Sequence, residues 1–275
     1  MKQRIITAII AIPIALFLIR MGGVLYAAGV TVLAYVGWRE LRNMLVGAGD
    51  KIYAITGCLP VLALVIAAAV SGDKTILPIL VISVIAIMLD TLFHYRDGRW
   101  ISETALGFFG VMYVGVLFAH FVFLRNLTGK VYSAGFMGQL SLGEALLWTV
   151  MFGTWASDTF AYIFGCNFGK HKLLPAVSPK KSVEGAVAGF IGCILVIQLL
   201  GSLWLGFSGI KVLALGILVG IVAPLGDLVE SILKRSCNIK DSGSFFPGHG
   251  GVLDRCDSLL FAVPVAYYYI KWFLL

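Results

Sequence analysis

Residues 185–208 read GAVAGFIGCILVIQLLGSLWLGFS, an apolar run without a charged side chain. At a rise of about 1.5 Å per residue, a helix of that length crosses a hydrocarbon core of about 30 Å. The run has eight counterparts, at 5–19, 22–38, 52–72, 75–93, 104–124, 144–165, 211–233 and 258–275. The first two are short enough to form one re-entrant hairpin. None alternates polar and apolar residues with the period of two that a barrel strand needs, so a β-barrel is excluded. The expected fold class is all-α, a polytopic integral membrane helical bundle with about nine transmembrane helices.

Composition points the same way. Hydrophobic residues make up 60% of the 275 and charged residues 13%, with a mean hydropathy of +0.96. Soluble domains run at about 45–50% apolar and about 25% charged. No linker or low-complexity segment interrupts the runs, so a single membrane domain over 1–275 is expected. Within it, 1–140 supplies N-terminal spans and 141–275 a catalytic half. Small residues four apart (Gly165 and Gly169, Gly185 and Gly189, Gly216 and Gly220) would let helices approach closely. The five cysteines form no C-x-x-C pair and are odd in number, which argues against a zinc site or a disulfide framework. Lys2 and Arg4 before an apolar run imitate a signal peptide, but no small-x-small cleavage site follows, and the run reads as a retained first span.

The formal net charge of +7 directs attention to anionic lipid headgroups and cytoplasmic loops before nucleic acid. Alternating the spans from a cytoplasmic N-terminus puts fifteen of the 21 Lys and Arg inside and six outside. Eight of the fifteen lie in two loops with functional character; without them the balance is seven to six.

Ionisable groups at membrane depth are functional candidates, because their burial costs several kcal/mol. The C-terminal half places Asp158, Asp227 and Glu230 inside apolar runs, and Asp254 and Asp257 at the head of another. Asp90, near a span end beside His94 and Arg96, reads as interfacial. Asp227, Glu230, Ser231 and Lys234 stand at i, i+3, i+4 and i+7, one face of a helix. Pro224 and Gly226 just before could break that helix and expose backbone groups to a cavity.

The loop that follows holds four glycines in nine residues (243, 248, 250 and 251). Their N–H groups can approach phosphate oxygens. Lys240 and Arg255 supply cations, while Asp241, Asp254 and Asp257 supply hard oxygens. Magnesium held by one or two carboxylates and substrate phosphates wants this mixture. A third stretch runs from Asp158 through Gly169-Lys170-His171 to Ser178-Pro179-Lys180-Lys181-Ser182. Ser178 reads as an N-cap with proline at the first helical position. Lysines just inside a helix N-terminus oppose its dipole, and a bound anion would resolve the conflict. His171 and His249 read as hydrogen-bond donors to phosphate rather than metal ligands. The residues alone describe a polytopic enzyme suited to a polyphosphate and Mg²⁺ beside the lipid phase.

The pattern Ser231-x-Leu233-Lys234-Arg235-x4-Lys240-Asp241-x-Gly243-x2-Phe246-Pro247-x-His249-Gly250-Gly251-x2-Asp254-Arg255-x-Asp257 resembles the signature of the phosphatidate cytidylyltransferase (CDP-diacylglycerol synthase) family. The region from Asp158 to Gly185 resembles the family's second motif region. The resemblance implies an enzyme of phospholipid synthesis that makes CDP-diacylglycerol and pyrophosphate from CTP and phosphatidic acid with Mg²⁺. It implies a bacterial inner-membrane location with the active site facing the cytoplasm, membrane lipids and no nucleic acid as partners, and leaves a homodimer open. By resemblance, Asp227 and Asp254 are the first choices for the metal, with Asp241 and Asp257 behind them. Ser231 and Lys234 would contact the reacting phosphates. Lys180, Lys181 and Arg255 would hold the triphosphate, and Asp158, Ser178, Lys240, His249, Gly250 and Gly251 complete the expected substrate-binding set. Two rival readings are a CTP-dependent lipid-alcohol kinase, which would move phosphate without cytidine, and a cation-coupled transporter using Asp158 and Asp227 as ligands.

Overall fold

A computed structural model describes residues 2–95 and 99–275; Arg96 lies outside the described residues. The described residues are mostly helical, with two short antiparallel hairpins and a long loop between the last two helices. The helices are α1 (Lys2–Met21), α2 (Gly23–Gly47), α3 (Ala54–Val70), α4 (Ile76–Phe93), α5 (Trp100–Gly110), α6 (Leu117–Arg125), α7 (Leu142–Phe168), α8 (Val183–Leu205), α9 (Ile210–Ser236) and α10 (Leu253–Tyr269). Strands β1 (Val131–Ser133) and β2 (Gln139–Ser141) form one hairpin, and β3 (Lys172–Leu174) and β4 (Ser178–Ser182) the other.

Among the described residues, four helices are long and apolar enough to cross a membrane: Gly72–Phe93, Trp100–Arg125, Val183–Leu205 and Ile210–Ser236. Two shorter apolar helices are Ile9–Met21 and Ala54–Val70. Four of the nine apolar runs thus meet the full length and hydropathy for a crossing. The first two runs form separate helices joined at Gly22, whose φ of 64° favours glycine.

The burial pattern of α8 is that of a lipid-facing helix. Val187, Ile191, Leu195, Leu199 and Leu203, each four residues from the next, are exposed, while Gly185, Gly189, Gly192, Cys193 and Ile197 are buried. A stripe of exposed Leu and Ile would be an aggregation hazard in water. In hydrocarbon it is the solvated face, and small residues form the packing face.

The chain divides into two compact units, Met1–Phe123 with Lys234–Arg255, and Leu124–Leu233 with Cys256–Leu275. In the first, Trp38 of α2 is buried between Gly57 of α3 and Gly110 of α5, both of which would clash with its indole if they carried a side chain. A π-helical turn, Val111–Val116, separates α5 from α6, and Gly115 there lies against the Val61 backbone of α3. In the second, α7 and α8 pack through the expected small residues. A Cβ at Gly185 would meet the Ala161 carbonyl at 2.7 Å, and one at Gly189 the Ser157 carbonyl at 2.6 Å. Gly216 of α9 packs on Ile194 of α8 in the same way.

Two local expectations are corrected. Ser178 does not cap a helix: Ser178–Ser182 is strand β4, paired with β3, and α8 begins at Val183. The cap is Ser182, whose Oγ accepts the Gly185 N–H at 3.2 Å. Lys180 and Lys181 therefore lie on a strand, not in a first helical turn. Pro224 and Gly226 likewise do not break α9, which runs through both. Gly226 serves packing: a Cβ there would strike the Asp257 carbonyl of α10.

Candidate active site

The end of α9, the glycine-rich loop and the first turn of α10 form one cluster in the first unit. Lys234 Nζ donates to Asp254 Oδ1 at 2.7 Å, and the two side chains are 15% and 6% exposed. The other Asp254 oxygen, Oδ2, accepts from Gly251 N at 2.8 Å, Ser242 N at 2.9 Å and Ser242 Oγ at 2.9 Å. Asp254 lies ahead of the last apolar run. Burial pushes its carboxyl upward, but the Lys234 ammonium and the Gly251 and Ser242 N–H groups outweigh that and hold it at about 2. Asp254 is thus a fixed anion that aims Lys234.

The loop folds back on itself between Phe246 and Gly250. Phe246 N donates to the Gly250 carbonyl at 3.0 Å and His249 N to the Phe246 carbonyl at 2.8 Å. Gly250, at φ 88°, takes a left-handed conformation, and a Cβ there would also stand 2.6 Å from Asp254 Oδ2. The turn opens a cleft of about 530 Å³ lined by Lys240, Asp241, Ser244, His249, Gly250 and Arg255 among others. Thr7 of α1 donates to the Pro247 carbonyl at 2.9 Å. Two cations, a histidine and glycine backbone around an open cleft suit a phosphate chain.

A second cluster lies in the second unit. Lys181 Nζ on β4 pairs with Asp227 Oδ2 on α9 at 2.5 Å, and Ser231 Oγ donates to Asp227 Oδ1 at 3.3 Å. Lys181 and Asp227 are 30% and 29% exposed, so the pair is open to a ligand. The serine meets the carboxylate because i and i+4 share a helix face.

The structure therefore brings Lys240, Asp241, His249, Gly250 and Arg255 to one cleft, Lys234, Gly251 and Asp254 into one hydrogen-bonded group, and Lys181, Asp227 and Ser231 into another. Lys180 and Ser178 ride on β4, the former exposed; Asp158 is exposed on α7, and Asp257 in the first turns of α10 accepts the Ser258 N–H at 2.7 Å. His171 is engaged by Glu184, Nδ1 to Oε1 at 2.6 Å, in an exposed contact that ties the β3 approach to the start of α8. Asp90 pairs with His94 at 3.0 Å and accepts from Thr56 at 2.5 Å, in keeping with its place at a span end.

The sequence reading missed Glu40. It is buried on α2, and its carboxylate accepts the Val252 N–H at 2.9 Å and the Leu253 N–H at 3.0 Å. Burial pushes its carboxyl above the ordinary value. The signal available was an acidic residue between Arg39 and Arg42 at the end of an apolar run.

The cytidylyltransferase family model matches residues 2–273. Among curated proteins, the chain is 34% identical to the phosphatidate cytidylyltransferase of Synechocystis sp., over 98% of this chain and 96% of the relative. It is 35% identical to that of Staphylococcus haemolyticus over 96% and 97%, and 29% identical to that of Bacillus subtilis over 99% and 98%.

Proposed function

This chain belongs to the cytidylyltransferase family, and from that premise we propose that it transfers the cytidylyl group of CTP to phosphatidic acid, giving CDP-diacylglycerol and pyrophosphate for phospholipid synthesis. The observation that most supports this reading is the cleft of Lys240, His249, Gly250 and Arg255 beside the Lys234–Asp254 pair. It offers a triphosphate positive charge and a histidine, on a chain whose helices are built for the lipid phase.

Magnesium is the proposed cofactor. Asp241 lines the cleft, Asp227 is partly exposed beside Lys181, and Asp254 is a carboxylate that Lys234 would release to an ion. Such a donor set fits Mg²⁺, which is held by one or two carboxylates together with substrate phosphates. The carboxylates proposed to serve it are Asp254 and Asp241 in the first unit and Asp227 and Asp257 in the second. When bound, it neutralises charge on the triphosphate.

In the proposed reaction a phosphatidate oxygen attacks the α-phosphorus of CTP. A new P–O bond forms there, the bond to the bridging oxygen breaks, and pyrophosphate leaves with that electron pair. The nucleophile is already anionic, so no strong general base is needed. In the first unit Lys234, Lys240 and Arg255 supply cations to the phosphates; in the second, Lys181 and Ser231 are the proposed phosphate contacts. Positioning and charge stabilisation provide most of the rate.

The site is proposed to face the cytoplasm from a bacterial inner membrane, since CTP is a water-soluble cytoplasmic nucleotide. The test is transfer of cytosine-labelled CTP to the lipid fraction by the detergent-solubilised protein. Label in lipid that depends on phosphatidate supports the reading; label confined to the aqueous phase refutes it.

A further inference from the structure

Glu40 sits near the end of α2 and is 6% exposed. Its Oε1 takes the N–H of Val252 and its Oε2 the N–H of Leu253. These amides open α10, where first-turn N–H groups have no acceptor within the helix. Ser242 Oγ lies 3.3 Å from Glu40 Oε2 and 2.9 Å from Asp254 Oδ2. Its one proton serves a single carboxylate at a time, and the serine, wedged between the two, is packed against both. The loop is also shaped around this carboxylate. A Cβ at Gly243 would lie 2.5 Å from Glu40 Oε1, and one at Gly251 2.5 Å from Oε2. Two of the glycines that appeared in the sequence as phosphate-binding flexibility are therefore also space for Glu40.

We propose that Glu40 is a positioning residue for the signature loop. Its carboxylate fixes the start of α10 and, through Ser242, the direction in which Asp254 holds Lys234. Glu40 does not touch substrate; it acts through the groups that do. The inference rests on the cytidylyl-transfer reading.

The two outcomes separate cleanly in kinetics. A carboxylate with a purely structural role would, once weakened, reduce the yield of folded protein and leave kcat per folded molecule unchanged. A positioning residue lowers kcat with folded protein in hand. Glu40→Gln keeps the shape of the side chain and turns one acceptor into an NH₂ group facing a backbone N–H. In the detergent-solubilised full chain we expect kcat to fall about tenfold or more while KM for CTP and for phosphatidate stays within about threefold. Gly243→Ala, which pushes a methyl group into the same carboxylate, should lower kcat as well. Its effect should shrink in the Glu40→Gln background, because neighbours in one network are not additive. If Glu40→Gln is not recovered folded, Gly243→Ala carries the kinetic comparison. Unchanged kcat in either folded variant, or independent effects of the two, overturns the inference. A wild-type protein that moves no cytidylyl group sinks the functional reading and this inference with it. A transferring wild type with an unimpaired Glu40→Gln sinks the inference alone.

Discussion

Lys234 Nζ and Asp254 Oδ1 are 2.7 Å apart, joined across the glycine-rich loop that separates α9 from α10. The pair closes the loop at its base, and Asp254 uses its second oxygen to gather the Gly251 and Ser242 N–H groups. One carboxylate thus orders both a cation and the backbone donors beside the cleft. In the proposed transfer, the value of Lys234 lies in being held ready rather than being recruited by substrate.

Replacing Lys234 by Ala should lower kcat by about 10²–10³, the usual cost of removing one preorganised donor to developing charge. The measurement is steady-state transfer with folding checked by thermal melting. Turnover within a few fold of wild type would remove Lys234 from the reaction.

Asp227→Asn should abolish turnover and leave the protein extractable in folded form, because the Lys181–Asp227 pair is partly open to solvent. Exposed pairs contribute little to stability, about 0–1 kcal/mol. Activity and melting temperature measured on the same preparation separate the two effects.

The Asp254 carboxyl is held at about 2, below its ordinary 3.8. A group depressed on folding contributes stability that is fully present above its unfolded pKa and lost as pH falls through its folded pKa. The expected loss therefore runs from about pH 4 down to about pH 2. An acid melting series should show this component in wild type and not in Asp254→Asn. The same acid sensitivity in both proteins would contradict the assignment.

The candidate site was legible where its residues are close in sequence. From Ser231 to Asp257 the chemistry is contiguous, and the structure brings Lys240, His249, Gly250 and Arg255 to a common cleft. The helix-face spacing of Asp227 and Ser231 also became a hydrogen bond. Glu40 was illegible because its partners stand more than two hundred positions away, and alone it looks like any charge at a span end. Ser178 misled because its local features, a serine before a proline, match a helix cap. The strand pairing with 172–174 overrode them, and Ser182 supplied the same capping chemistry at the true start of α8. In α9 the helix runs on through Pro224 and Gly226, and Gly226 gives the Asp257 carbonyl of α10 room to approach.

Removal of magnesium by EDTA should stop transfer, and added Mg²⁺ should restore it. Calcium, larger and content with longer oxygen distances, should not replace it fully. Undiminished transfer in excess chelator would remove the metal from the mechanism.

The most direct test of the account uses CTP labelled separately in the cytosine and at the γ-phosphate, with phosphatidate and Mg²⁺. Cytosine label in the lipid together with γ-label released as pyrophosphate is the predicted result. γ-label entering an added lipid alcohol, or neither label moving while the protein stays folded, would contradict it.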